Sequence, residues 1–280
     1  MLGLFDSGVG GLSVLRAIRA RHSDVLTWVI ADQAHVPYGE RPLEEIRQFA
    51  LAQCRFLFEG GAEAVWMACN ICSAVALEDA RAIHGASAVQ GVLQAGAQAA
   101  AKLSRTGRIG VLATDGTVRS GAYPSQIRRL RPDASVTTVA CPEFVPLVEA
   151  GRLDGPQTTA AARRRLAPLI EAGCDVVVHG CTHYPFLEPA LRSVWPPELP
   201  VRFVDPAQAL ARRLDPGLRR GSDPHTGTEL FTTGDADRFR VQVEAFLGAQ
   251  AEGVRRLCWN EGRLSVDPVP ASDLVWARGA

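Results

Sequence analysis

Short runs of apolar and β-branched residues alternate with amphipathic stretches along almost the whole chain. The runs predict strands at 2–5, 25–31, 64–68, 88–92, 108–113, 135–140, 175–180 and 201–204. Between them, helical spacing predicts helices at 12–21, 43–58, 73–83, 94–103, 158–171 and 207–214. Most of these strands lack a polar face. A strand that is apolar on both sides and is followed by a helix belongs in a parallel sheet covered by helices. The class is α/β.

A fourth strand closes near residue 92 and a new helix–strand series begins there; a second break falls at Asp205-Pro206. We therefore expect two similar α/β lobes, each a mainly parallel sheet flanked by helices. The first comprises 1–92, completed by 206–280, and the second comprises 93–205. An apolar strand running into a cysteine-containing polar loop occurs once in each lobe, which raises the possibility of a duplication.

Composition narrows the chemistry. The chain has 280 residues, 47% of them hydrophobic, and its thirty basic and thirty acidic residues cancel. That excludes disorder as the main state and disfavours a nucleic-acid partner, which would call for a basic excess. No apolar run is long enough to span a bilayer, and Met1 enters the first strand without a signal-peptide core. A cytoplasmic protein with no membrane partner is expected. Only one basic residue is a lysine, Lys102, in an alanine-rich stretch that reads as an exposed helix face. A pyridoxal Schiff base and a phosphate-binding Gly-Lys-Ser/Thr loop both need a lysine in a very different setting. Chemistry without a cofactor is expected. The seven cysteines are an odd number without the setting of a disulfide framework, and Cys54, Cys174 and Cys258 read as small buried hydrophobes.

Three loops begin where a buried run stops: Asp6-Ser7-Gly8-Val9-Gly10-Gly11, Cys69-Asn70-Ile71-Cys72-Ser73 and Cys181-Thr182-His183-Tyr184-Pro185. In a parallel sheet they lie at the carboxyl ends of strands, where α/β folds bind ligands. Each leads into a helix, whose N–H groups suit a small carboxylate. The first loop fails the dinucleotide fingerprint, since Ser13 stands where the third glycine belongs. A tight strand-to-helix turn explains its glycines as well as a ligand would, but does not explain an ionisable Asp6 at the strand end. Cys69 and Cys181 each precede a helix, where a thiolate is stabilised. Each also has a proton-transfer partner within reach: Asp6 across adjacent strands, and His183 in sequence. Two such thiols, one per lobe, suit the inversion of a stereocentre, in which one group removes a proton and another delivers one to the opposite face.

Here the residues carry a resemblance. Phe5-Asp6-Ser7-Gly8-Val9-Gly10-Gly11-Leu12, Pro37-Tyr38-Gly39, Ala68-Cys69-Asn70 and Gly180-Cys181-Thr182-His183-Tyr184-Pro185 resemble the glutamate racemases of the cofactor-independent aspartate/glutamate racemase superfamily. Gly110-Val111-Leu112-Ala113-Thr114, Ser120-Gly121-Ala122-Tyr123, Ala140-Cys141-Pro142, Leu147-Val148-Glu149-Ala150-Gly151 and Thr232-Thr233-Gly234 continue the likeness in order. The resemblance implies two lobes closing over a central cleft, commonly in a homodimer. It also implies interconversion of L- and D-glutamate, with the D-isomer used in peptidoglycan. By the same likeness Cys69 serves the D-enantiomer with help from Asp6, and Cys181 serves the L-enantiomer with help from His183 and Glu149. Ser7, Tyr38, Gly39, Asn70, Ile71, Thr114, Thr117 and Thr182 fall at positions that line the substrate site.

The chain departs from the pattern in two places. Ile71-Cys72 stands where relatives usually have Thr-Ala, which removes a hydroxyl from the substrate site. Gln94-Ala95-Gly96 replaces a Pro-Gly pairing at the hinge. Aspartate or another amino acid is thus an alternative substrate. A different class, a zinc or thiol-redox protein, would use Cys69, Cys72, Cys181 and His183, but the usual Cys-x2-Cys or His-x3–5-His second half-site is missing. No metal is expected, and Cys72 reads as a small residue facing the sheet. A further alternative is a relative that binds its ligand without turnover.

Overall fold

The structure is a computed structural model that describes residues 1–218, 221, 227–248 and 253–267. It contains β1 (Leu2–Asp6), β2 (Thr27–Ala31), β3 (Ala64–Met67), β4 (Val89–Gly91), β5 (Arg108–Ala113), β6 (Ser135–Ala140), β7 (Val176–Gly180), β8 (Arg202–Val204), β9 (Thr228–Thr232), β10 (Val254–Asn260) and β11 (Arg263–Val266). They form two sheets. One has seven strands in the order β11-β10-β9-β2-β1-β3-β4, and the other has four in the order β6-β5-β7-β8. Every pairing is parallel except the β10–β11 hairpin.

The apolar runs are continuous because both faces of each sheet are covered. In β1, Leu2 and Leu4 enter one core layer and Phe5 enters the opposite one. In β5, Ile109 and Val111 pack on one side and Leu112 on the other. The α/β class read from the pattern is the class found.

Two boundaries differ from the sequence pattern in an informative way. The helix expected over 73–83 starts earlier and is broken: Asn70–Val75 and Leu77–His84 meet at Ala76, whose backbone (φ −126°, ψ −9°) leaves the helical region. Ser73 bonds back to the carbonyls of Met67 and Cys69, a local bond that competes with helix geometry. The pattern also assigns no strand beyond Val204, whereas β9, β10 and β11 extend the larger sheet. β10 is an outlying strand with Arg255 and Arg256 exposed, so it lacks the apolar run that marked the inner strands. Its Cys258 is half-buried rather than buried, unlike Cys54 and Cys174.

The sheets are joined through two helices that pack together, Val92–Leu103 after β4 and Pro206–Ala211 after β8. Gly96 permits this closeness, since a Cβ there would lie 2.7 Å from the Pro206 ring. Among the described residues, no helix is long and apolar enough to cross a membrane.

Candidate active site

One cavity lies where loops from both sheets meet. It is lined by residues that follow β1 (Ser7), β2 (Tyr38, Gly39), β3 (Cys69, Asn70, Ile71), β5 (Thr114, Thr117) and β7 (Cys181, Thr182, His183). The carboxyl ends of the two sheets therefore share one cavity, the place that parallel topology provides. Both thiols line it, one from each sheet.

The glycine loop after β1 has a reason that sequence alone leaves open. Gly10 has an ordinary backbone (φ −54°), but a Cβ on it would lie 2.1 Å from Thr182 Oγ1 and 2.6 Å from His183 Nδ1. A Cβ on Gly8 would come within 2.9 Å of Glu149 Oε1. These glycines admit side chains from the other sheet. The tight turn is present, but it is the close approach that requires glycine.

Around Cys181 the contacts form a line. Cys181 Sγ lies 3.7 Å from His183 Nδ1, and His183 Nε2 donates to Glu149 Oε1 at 2.8 Å. Burial alone would push the His183 imidazolium down, yet the Cys181 and Glu149 contacts outweigh it and hold the proton well above the usual histidine range. Burial likewise pushes Glu149 up, but His183, the Val9 N–H and Gln242 together bring it below its ordinary value. The pair is an ion pair in a buried setting.

Around Cys69 the arrangement is different. Its Sγ reaches Ser7 Oγ at 3.9 Å, and Ser7 in turn donates to Asp6 Oδ1 at 3.4 Å. The expected Asp6–Cys69 pairing is thus linked through a serine. Asp6 also accepts from the Gly8 N–H at 3.0 Å and from the Thr182 hydroxyl, across the cleft, at 2.9 Å. It is fully buried, and burial raises its proton affinity despite the charge of His183 and these donors.

The remaining lining residues are held from behind. Tyr123 donates to Asn70 Oδ1 at 2.7 Å, which turns the Asn70 amide nitrogen away from Tyr123 and leaves it buried without a protein acceptor. Tyr38 has its hydroxyl committed elsewhere: it donates to Asp32 and accepts from Gln53 at 3.1 Å. Gly39 packs on Thr114, and its carbonyl accepts from Arg119. Thr114 and Thr117 hydroxyls pair at 3.1 Å. Ile71 presents an apolar wall.

Cys72 packs in the core with Phe5 and Met67, and burial pushes its thiol well up. Among the described residues, no three His, Cys, Asp or Glu side chains are placed to hold a metal ion. The sequence reading missed Tyr123, Gln242 and Asp32 as supports. Tyr123 lies within Ser120-Gly121-Ala122-Tyr123, but nothing local signals that its hydroxyl reaches residue 70.

Known proteins resemble this chain along most of its length. The model of the Asp/Glu/Hydantoin racemase family matches residues 12–214. The chain belongs to that family. Within the family it is similar to a glutamate racemase of Pseudomonas aeruginosa (strain UCBPP-PA14), 46% identical over 259 residues that cover 92% of this chain and 93% of the relative. A crystal structure of a glutamate racemase isoform from Bacillus anthracis superposes with a TM-score of 0.86 at 30% identity, covering 94% and 98% of the two chains. A glutamate racemase from Francisella tularensis, solved in complex with D-glutamate, gives 0.79 at 26% identity and covers 90% and 95%. The family's two-lobe racemase fold is the fold of this chain.

Proposed function

We propose that this protein interconverts L- and D-glutamate by moving the Cα proton between two thiols. The observation that carries the reading is the placement of Cys69 and Cys181, from different sheets, in the wall of one cavity. One cysteine acts as a thiolate and takes the Cα proton from one face. The other, as a thiol, gives its proton to the opposite face. The product leaves the two protonation states exchanged, so the reverse reaction uses the same groups in opposite roles. Cys69 removes the proton of the D-enantiomer and Cys181 that of the L-enantiomer, as the family likeness implies.

The surrounding groups have matching tasks. His183, backed by Glu149, stabilises the Cys181 thiolate by lying beside it as an imidazolium. Asp6, disposed to keep a proton, acts on Cys69 through Ser7. The unpartnered amide N–H of Asn70 is aimed at a substrate oxygen, with the Thr114, Thr117 and Thr182 loops completing a polar wall. Ser7, Tyr38, Gly39 and Ile71 complete the lining. The same reading divides the chain into lobes 1–92 with 206–280, of which 219–220, 222–226, 249–252 and 268–280 lie outside the described residues, and 93–205. Supply of D-glutamate to peptidoglycan, a cytoplasmic setting, a homodimer and independence of cofactors rest on the likeness to glutamate racemases and on the lysine-poor sequence.

The deciding experiment incubates the purified protein with L-glutamate and D-glutamate in deuterated water and follows both chirality and Cα deuterium. Racemisation with solvent deuterium in the product is expected without added pyridoxal phosphate or metal. Binding of glutamate with no exchange from either enantiomer overturns the reading, and turnover of aspartate alone replaces the substrate.

A further inference from the structure

We propose that the amide pair of half-buried Gln33 and buried Gln242 is a positioning device for the Cys181 half of the site, turning Glu149 toward His183 and so fixing which imidazole nitrogen faces the thiol. The inference rests on Cys181 being a reacting thiol, as proposed above.

The argument is one of polarity along a chain of hydrogen bonds. Thr232 Oγ1, at the end of β9, accepts the Gly234 N–H at 3.0 Å and donates to Gln33 Oε1 at 2.9 Å. With its oxygen so occupied, Gln33 presents its NH2 group to Gln242 Oε1 at 2.7 Å. Gln242 must then present its own NH2 group to Glu149 Oε2, at 3.1 Å. Flipping either amide would set oxygen against oxygen or NH2 against NH2. Every link points the same way, and the chain ends on an acceptor. Glu149 is therefore met as a carboxylate.

Its other oxygen, Oε1, accepts a hydrogen bond from His183 Nε2–H, and Nδ1 is left to exchange a proton with Cys181. Among the described residues, Gln242 is the sole donor to Glu149 Oε2, and it sits buried on the helix Ala236–Leu247 of the opposite lobe. Glu149 ends the helix Phe144–Glu149, where an acidic side chain is not favoured by the helix dipole. Something has to hold it there, and the donor comes from across the cleft.

The test measures alkylation of individual cysteines by iodoacetamide as a function of pH, with peptide mapping to separate Cys181 from Cys69. In Gln242→Leu, the midpoint for Cys181 should move up by about half a pH unit or more, with roughly threefold or greater loss of its reactivity at neutral pH, because its imidazolium partner is less firmly held. Cys69 should keep its wild-type profile. Gln33→Leu should shift Cys181 in the same direction by less, and the double variant should do no more than Gln242→Leu alone. In turnover, kcat should fall about tenfold or less while KM stays near the wild-type value. An unchanged Cys181 profile in both single variants, or equal movement of Cys69 and Cys181, overturns the inference. Alkylation needs no turnover, so a Cys181-selective shift in a protein that does not racemise glutamate would sustain the positioning role and sink the functional one.

Discussion

The two thiol neighbourhoods solve one problem with opposite electrostatics. Cys181 is backed by an ion pair, since His183 keeps its proton well above the usual range and Glu149 loses its proton below it. Cys69 is backed, through Ser7, by a carboxyl group that burial disposes to stay protonated. Each neighbourhood also borrows from the other lobe. Thr182 reaches over to Asp6, while the Val9 N–H and Gln242 reach over to Glu149. Neither half is complete within its own sheet: each takes hydrogen-bond partners from across the cavity.

The largest effects should come from the thiols. Cys69→Ser and Cys181→Ser should each lower racemisation by roughly 10²–10⁴-fold, since a hydroxyl is a far poorer base and acid at these positions. The comparison sharpens if single-enantiomer deuterium exchange is followed: each variant should lose exchange chiefly from the enantiomer whose proton the missing thiol removes. Full activity in either variant would remove the two-thiol mechanism.

Gly10→Ala tests the crossing point between the halves. The added Cβ must displace both Thr182 Oγ1 and His183 Nδ1. Overpacking of this kind typically costs about 1–3 kcal/mol of stability. Activity should fall at least tenfold, the order of one lost hydrogen bond to a charged group. Steady-state kinetics and thermal denaturation check both. A silent Gly10→Ala would mean that the two side chains do not need that space.

How much of this the sequence made legible depends on distance along the chain. The inner strand β5 was readable to the residue because burial on both faces leaves an almost unbroken apolar run, and the edge strand β6 because its valines and threonines are β-branched. The three reactive loops were readable because each interrupts such a run. What lies between distant segments was not. Gly10 reads as a turn glycine until Thr182 and His183 are beside it. Tyr123 and Gln242 act on residues 53 and 93 positions away, and no local pattern encodes that. β10 and β11 stayed hidden because outlying strands with arginines exposed show no hydrophobic periodicity strong enough to mark them.

The electrostatic contrast predicts opposite responses to substitution, although rising pH weakens both contributions. His183 is more firmly protonated in the folded state than its ordinary value near 6.5. Its contribution to stability is therefore complete below about pH 6.5 and is lost as pH rises through the folded value. Asp6 is also raised, from 3.8, so at neutral pH an ionised Asp6 in its buried site is a burden on stability. Asp6→Asn keeps the shape, and Thr182 can turn its hydroxyl to suit the amide. Melting temperatures across pH 6–9 should show Asp6→Asn gaining a few degrees over wild type. His183→Asn should melt lower and lose part of the alkaline slope, because Glu149 is left buried without its partner. Both variants should still be poor catalysts. Equal melting shifts of the same sign would erase the contrast.

The smallest effect is expected at Ile71, on the Cys69 side, where relatives usually place a threonine. Ile71 is buried and lines the cavity beside Asn70. If a threonine hydroxyl were needed to hold the substrate, its loss would weaken binding by about 1.5–3 kcal/mol, or roughly ten- to a hundredfold. Yet Asn70 already offers a buried, unpartnered N–H there, and Tyr123 holds it in that orientation. A new hydroxyl at 71 would therefore add to a donor set that is complete enough to bind. Ile71→Thr should change KM for glutamate by less than about threefold, well under that range. Measuring KM for glutamate and aspartate in both proteins separates the possibilities. A tenfold fall in the glutamate KM would show that the apolar wall weakens glutamate binding. A rise in KM with lost turnover would instead show that the pocket has been rebuilt around isoleucine, and that the Cys69 half departs from its relatives in recognition.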